Sequence, residues 1–212
     1  MNTFKDHFSG HASTYAAARP RYPESLFESI ASQCKSHSLA WDAGCGNGQA
    51  SLALTDYFDR VFASDPSASQ IASAEPHGSI TYAVEPAEHC SLADNSADCV
   101  CVAQALHWFD FARFWPEVKR AGTADAVFAA WGYNWFFVSP AFDADVTARF
   151  RNVIAPFWAH NNRINWDGYR DADIRFPFQR IQHPAFRIDL AWSFRQILAF
   201  MQTWSAYRLS RD

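Results

Sequence analysis

Charge is scarce in this sequence. Only 19% of the 212 residues are Asp, Glu, Lys or Arg, and they sum to a net charge of −4. No basic stripe of the kind that follows a phosphate backbone is present, and the short run Arg19–Arg21 is too small to make one, so nucleic acid is not the expected partner. Long apolar runs are missing as well. None approaches the ~18 residues needed to cross a bilayer. The opening residues, MNTFKDHFSGHAS, lack the apolar middle of a signal peptide. The expectation is a cytoplasmic protein with no membrane partner. The five cysteines, at 34, 45, 90, 99 and 101, are odd in number and form no C-x-x-C pair. Neither a zinc site nor a disulfide framework is indicated, and no metal is expected.

Apolar residues, by contrast, are plentiful. They make up 49% of the chain, enough to bury a sizeable core in a single domain. Aromatics reach 17%, with nine Trp, and many lie after residue 106. Two uses compete for them: core packing, and the wall of an apolar ligand cavity.

Along the chain, strand and helix signals alternate. YPESLFESIASQCK has a helical apolar face of Leu26, Phe27 and Ile30, with Pro23 at its first turn. SLAWDAG reads as a short buried strand, QASLALTDYF as a helix, and RVFASD as a second strand ending in an acid. PSASQIASAE is a helix starting at Pro66 or Ser67. SITYAV and ADCVCVAQA are the third and fourth strands. FDFARFWPEVKRA is helical, with a break expected near Pro116, which cannot continue an i to i−4 ladder. DAVFAAW is the fifth strand. This succession predicts an α/β fold: a Rossmann-like, doubly wound, mostly parallel sheet with helices on both faces. Residues 139–175 are expected to form an inserted helical lid, and residues 1–23 a cap over the ligand site, all within a single domain, 1–212. FQRIQHPAFRIDLAW reads as one more strand or a hairpin turning at His183-Pro184. SFRQILAFMQTWSAYRL is a helix with Ser193 as its N-cap.

In such sheets ligands bind at the carboxyl ends of the strands, where strand order reverses. The first strand leads there into WDAGCGNG. Glycine lacks a Cβ, so Gly44, Gly46 and Gly48 let the backbone turn sharply and approach a ligand closely. The spacing is G-x-G-x-G. A dinucleotide fingerprint would read G-x-G-x-x-G and seat a phosphate on the helix N-terminus. Asp42, just upstream, would repel a pyrophosphate and suit a ligand bearing an amino group. Asp65, ending the second strand, is placed to accept both hydrogen bonds of a ribose diol.

WDAGCGNG followed by ASDPS resembles motif I and the acidic loop of class I S-adenosylmethionine-dependent methyltransferases. EPAEHCSLADNSADCVCVAQALHWFD, AAWGY at 129–133, TWSAY at 203–207 and YAAARPRYP are similar to the type-11, trans-aconitate-methyltransferase-like group. The resemblance covers most of residues 4–135 and, more thinly, 176–207. It implies S-adenosylmethionine as methyl donor. Asp42 and the Gly44–Gly48 backbone would hold its methionine part and Asp65 its ribose. Ala87 and Glu88 would meet the adenine. Gln104 and Ala105 would lie under the methionine and sulfonium, and Tyr15 and Arg19 would close over the donor. The family continues past TWSAY with a further helix and a last strand that completes the sheet. This sequence stops at Asp212, so an incomplete C-terminal sheet edge is expected, with a monomer or homodimer as the assembly.

Methyl transfer from a sulfonium is an in-line displacement in which the protein mainly aligns the reactants and excludes water. Such positioning supplies on the order of 7–11 kcal/mol. The expected acceptor is a small molecule, methylated on the oxygen of an acid or a hydroxyl. His107 is the candidate base for a hydroxyl acceptor. Trp108, Trp131, Tyr133 and Trp135 are the expected pocket walls, and Arg163 or Arg170 would meet an acidic acceptor. Two other readings remain open at this point: a donor-binding protein of the same fold without acceptor chemistry, and an NAD(P)-dependent oxidoreductase, for which the glycine spacing and a Tyr/Lys or His/Asp set are lacking.

Overall fold

The structure, a computed structural model, describes residues 19–133 and 135–211. Five strands form the sheet: β1 (Leu39–Ala43), β2 (Arg60–Asp65), β3 (Ile80–Val84), β4 (Ala97–Ala103) and β5 (Gly122–Trp131). Their order is β3-β2-β1-β4-β5 and every pairing is parallel. The chain steps outward from β1 to β3 and then returns to the other side of β1 for β4. The reversal opens a crevice at the carboxyl ends of β1 and β4.

Period-two alternation divides the strands between two cores. Trp41, Phe62, Val100 and Val102 face one side, packed with Phe114 and Trp115 of helix α4 (Phe111–Ala121). Ala40, Val61, Cys99 and Cys101 face the other, against Leu26, Phe27 and Ile30 of α1 (Glu24–Gln33) and Leu54 of α2 (Gln49–Leu54). Such strands are apolar on both faces because both are covered. The short α3 (Ala68–Ala72) starts at Ser67, whose side chain caps Gln70 N–H.

Two expectations are corrected here. Helix α4 runs unbroken through Pro116. The hydrogen bond that Pro116 forgoes would have ended on Ala112 O; both residues lie on the exposed face of the helix, where a freed carbonyl costs least. Residues 177–192 form no strand or hairpin. Phe176 and Phe178 pack with Trp115 and Phe128 on one face of the sheet, while Phe186 packs on the opposite core. The segment therefore crosses the sheet edge instead of running along it. Among the described residues β5 pairs only with β4, and its outer side borders an open groove.

After β5, residues 140–174 are mostly helical: α5 (Pro140–Phe142), a π turn at Asp143–Thr147, α6 (Ala148–Ile154), α7 (Asn162–Trp166) and α8 (Asp171–Ile174). Ser193 opens α9 (Phe194–Gln202) with a reciprocal capping box to Gln196, and α10 (Ser205–Leu209) follows. Trp135, Trp158, Trp166 and Trp204 interlock with ring centroids 5.3–6.0 Å apart and tie this helical lobe to the C-terminal helices.

Candidate functional site

All three glycines of the first turn are left-handed, with φ of +71° at Gly44, +56° at Gly46 and +82° at Gly48. Steric crowding explains two of them. A Cβ on Gly44 would sit 2.7 Å from the Ala105 Cβ, and one on Gly48 would strike the Tyr82 hydroxyl. Around Gly46 the nearest atom is Gln70 Oε1 at 3.8 Å, so the middle of the turn is the part left open to a ligand. Asp65 points straight at this turn. Its Oδ2 accepts from Gly46 N–H at 2.9 Å and its Oδ1 from Ser67 N–H at 2.8 Å.

Asp42 lies fully buried at the end of β1. Ser51 of α2 donates to its Oδ2 at 2.6 Å, and its Oδ1 has no partner among the described residues. Burial, with a smaller push from Asp65, raises its carboxyl to about 7, although the Ser51 bond pulls the other way. A buried acid with one unsatisfied oxygen beside an open glycine turn fits a ligand that brings a cationic amino group. With Asp65 beyond it to meet a diol, the residues present fit S-adenosylmethionine.

Past β4 the backbone changes abruptly. Gln104 has φ +59°, unusual for a residue with a side chain. It is held on three sides: its N–H donates to Trp131 O at 2.9 Å, its Nε2 to Tyr133 O at 2.9 Å, and its Oε1 accepts from Asn165 Nδ2 at 3.4 Å. The 3₁₀ turn Leu106–Trp108 follows and buries His107. The His107 Nδ1 is 3.0 Å from the Tyr169 hydroxyl. Burial lowers His107 to about 4 and pushes the Tyr169 phenol up. Beside this turn lies a partly open cavity walled by Trp108, Tyr133, Trp135, Trp158, Trp166 and Trp204. Gln104 lines it too, so it adjoins the crevice at the carboxyl ends of the strands.

Of the residues singled out from the sequence, Arg19, Gln104, His107, Trp108, Tyr133 and Trp135 come together around this cavity, and Arg19 donates to the Tyr133 hydroxyl at 3.1 Å. Trp131 does not. It shares strand parity with Val127 and Ala129, faces the opposite core, and meets Tyr22 and Phe27 edge-on. Ala87 is buried in the core on the α4 side, and Glu88 accepts from Asp110 N–H at 2.8 Å, joining the loop after β3 to the start of α4. Arg163 and Arg170 are exposed and paired with Asp167 and Asp173, away from the cavity. Tyr15 and most of the 1–23 cap lie outside the described residues. Sequence reasoning missed Tyr82, Gln70, Tyr169, Asn162 and Asn165. For Tyr82 the alternation of β3 was a usable signal; the others reach the site only through tertiary contacts. Among the described residues no group of three or more His, Cys, Asp or Glu is arranged to hold a metal ion, and no helix is long and apolar enough to cross a membrane.

A parallel sheet of order 3-2-1-4-5, with a glycine turn after β1 and an acid after β2, defines a Rossmann-like methyltransferase domain of class I. The comparisons make the assignment specific. The type-11 methyltransferase-domain family model matches residues 41–130. A Dictyostelium discoideum protein named as a methyltransferase is 30% identical over 208 residues, covering 96% of this chain and 78% of that protein. A Saccharomyces cerevisiae protein named as an S-adenosylmethionine-dependent methyltransferase is 31% identical over 137 residues, covering 60% of this chain and 46% of that protein. The solved structure of a protein described as a type II methyltransferase from Anaeromyxobacter dehalogenans shares 40% identity with a TM-score of 0.83, over 91% of this chain and 81% of that one. The chain belongs to the type-11 family of class I S-adenosylmethionine-dependent methyltransferases. The oxidoreductase reading is thereby set aside.

Proposed function

We propose that this protein transfers the methyl group of S-adenosylmethionine to an oxygen of a small acid or hydroxyl compound held in the tryptophan-walled cavity. The donor supplies an activated methyl group on a sulfonium. The rest falls to the chain's own side chains. The Gly44–Gly48 backbone forms the floor, Asp65 accepts from the ribose hydroxyls, and Asp42 faces the amino group. Glu88 and Ala87 border the adenine. Gln104 and Ala105 stand between the donor crevice and the cavity, so the acceptor oxygen, methyl carbon and sulfur can be brought into line. The aromatic walls keep water out, and their ring faces tolerate a nearby cation.

The observation that carries this reading is the orientation of Asp65. Its carboxylate ties down the glycine turn at Gly46, the one point of that turn where no side chain crowds in. Calorimetry with S-adenosylhomocysteine tests it directly. The wild-type chain is expected to bind, and Asp65→Ala to weaken binding roughly 10- to 100-fold, the worth of charge-assisted hydrogen bonds of about 1.5–3 kcal/mol. Unchanged affinity in a folded Asp65→Ala variant removes the ribose assignment. Turnover is then read with radiolabelled donor on a panel of small acids and phenols.

A further inference from the structure

Two buried polar atoms of the tryptophan-walled cavity are left without a hydrogen bond. Asn162 is only 7% exposed, and its Oδ1 is buried with no partner among the described residues. Trp158 Nε1 is buried and unpaired among them as well. Both residues line the cavity. A buried polar group without a partner lowers stability, and native proteins hold few of them. A leucine at position 162 would suit a wall of rings and leave nothing unmet. The amide is better explained by a ligand than by the fold.

The surroundings hold both groups in place. The Trp158 ring stands edge-on to Trp166, with centroids 5.4 Å apart, and lies 5.5 Å from Trp204. Asn162 opens α7, its N–H donating to Ala159 O at 3.0 Å. Asn165, three residues on, shares a face of that helix with it and donates from Nδ2 to Gln104 Oε1 at 3.4 Å. One amide of α7 thus touches the residue that stands between the donor crevice and the cavity. The other, about 4.5 Å away along the helix axis, is left open.

The two open atoms ask for different things. Asn162 Oδ1 needs a donor and the Trp158 N–H needs an acceptor. A carboxylate only accepts and leaves Oδ1 unmet; an ammonium only donates and leaves the indole unmet. A hydroxyl does both.

We infer that Asn162 and Trp158 form a subsite for a neutral hydroxyl of the acceptor molecule, separate from the oxygen that receives the methyl group, and that Asn162 is a specificity-determining residue of the cavity. The inference rests on the methyl-transfer reading above and narrows it to acceptors that carry a second, uncharged oxygen. The reacting oxygen lies by Gln104, and the recognised hydroxyl about one helical turn away. That hydroxyl keeps its proton and is not methylated.

Benzyl alcohol and anisole are isomers, and only the alcohol can donate. Both are titrated into the ¹⁵N-labelled full chain with S-adenosylhomocysteine present, with Asn162→Leu and Trp158→Phe supplying the assignments of the side-chain amide and the indole N–H. Benzyl alcohol is expected to move both signals and to bind at least about 10-fold more tightly than anisole. In Asn162→Leu the ratio is expected to fall to about one through weaker binding of the alcohol. Equal binding of the isomers by the wild type, no movement of either signal, or an unchanged ratio in a folded Asn162→Leu overturns the inference. Should that variant fail to fold, the wild-type comparison decides. Benzoate and benzylammonium are the charged controls. A larger shift of the Asn162 amide with either than with benzyl alcohol overturns the choice of a neutral group. The titrations are repeated on the ligand-free chain to keep the two readings apart. Absence of S-adenosylhomocysteine binding by calorimetry strikes the methyl-transfer reading and leaves the isomer comparison standing.

Discussion

At the scale of single residues, the buried titratable groups pull stability in opposite directions. Asp42 has its carboxyl raised from 3.8 to about 7 by burial. Between those values the folded protein keeps a proton that the unfolded chain has lost, so this group's contribution is full at low pH and is lost as pH rises toward 7. His107, lowered from 6.5 to about 4 by burial, works the other way: the unfolded chain gains a proton that the folded one refuses, and stability falls as pH drops from 6.5 to 4. From pH 4 to 6.5 the two slopes oppose, and only the Asp42 loss continues above 6.5. Asp42→Asn is expected to unmask the histidine, with stability climbing by up to about 1.4 kcal/mol per pH unit over that window in urea titrations. An amino group arriving beside Asp42 would expel its proton. S-adenosylhomocysteine affinity is therefore expected to rise with pH between about 5 and 7 in the wild type, with proton release visible in calorimetry across buffers, and to lose that rise in Asp42→Asn.

At the scale of elements, what could be read in advance depended on how local the determinant is. β2 was legible to the residue, because Arg60–Asp65 is an apolar run between turn signals. The α9 start was legible too, because Ser193 stands as an N-cap directly before the apolar run; the reciprocal bond with Gln196 completes it in the structure. Pro116 misled, since the cost of a proline depends on whether the freed carbonyl meets water, which sequence does not display. Residues 177–192 misled for a related reason. Their phenylalanines are shared between two faces of the sheet, and alternation cannot tell a strand from a strap. At the site, the glycine turn and Asp65 stand on two short stretches, each readable on its own, which the structure joins through Gly46, whereas Tyr169 meets His107 across 62 residues and leaves no local trace. The glycine turn yields a sharp test. Gly44→Ala would force a side chain into the left-handed region and within 2.7 Å of Ala105. A loss of about 1–3 kcal/mol in stability is expected by denaturant titration, together with loss of S-adenosylhomocysteine binding. Gly78→Ala, which meets nothing within 4 Å and has no positive φ, is the matched control.

At the scale of the whole molecule, the open side of β5 is guarded by a strap of chain. Trp115 anchors it: the indole N–H donates to Ile174 O at 2.8 Å and the ring meets Phe176 and Phe178. Trp115→Ala is expected to cost about 3–5 kcal/mol and to release the strap, read as faster tryptic cleavage after Arg180 and Arg187 than in the wild type. Equal cleavage rates would mean that the strap is held elsewhere.

The tryptophan-walled cavity also has a history along the polypeptide. Every residue assigned to the donor between Asp42 and Ala105 belongs to one continuous stretch, but the cavity wall is closed only by Trp204, Ser205 and their neighbours near the other end. A ribosome making this protein would thus release the nucleoside half about a hundred residues before the wall is finished, several seconds at ordinary rates of synthesis. Gln104 nevertheless waits for Trp131, Tyr133 and Asn165 to hold it, so the proposed donor site also takes its final form only once those residues have emerged.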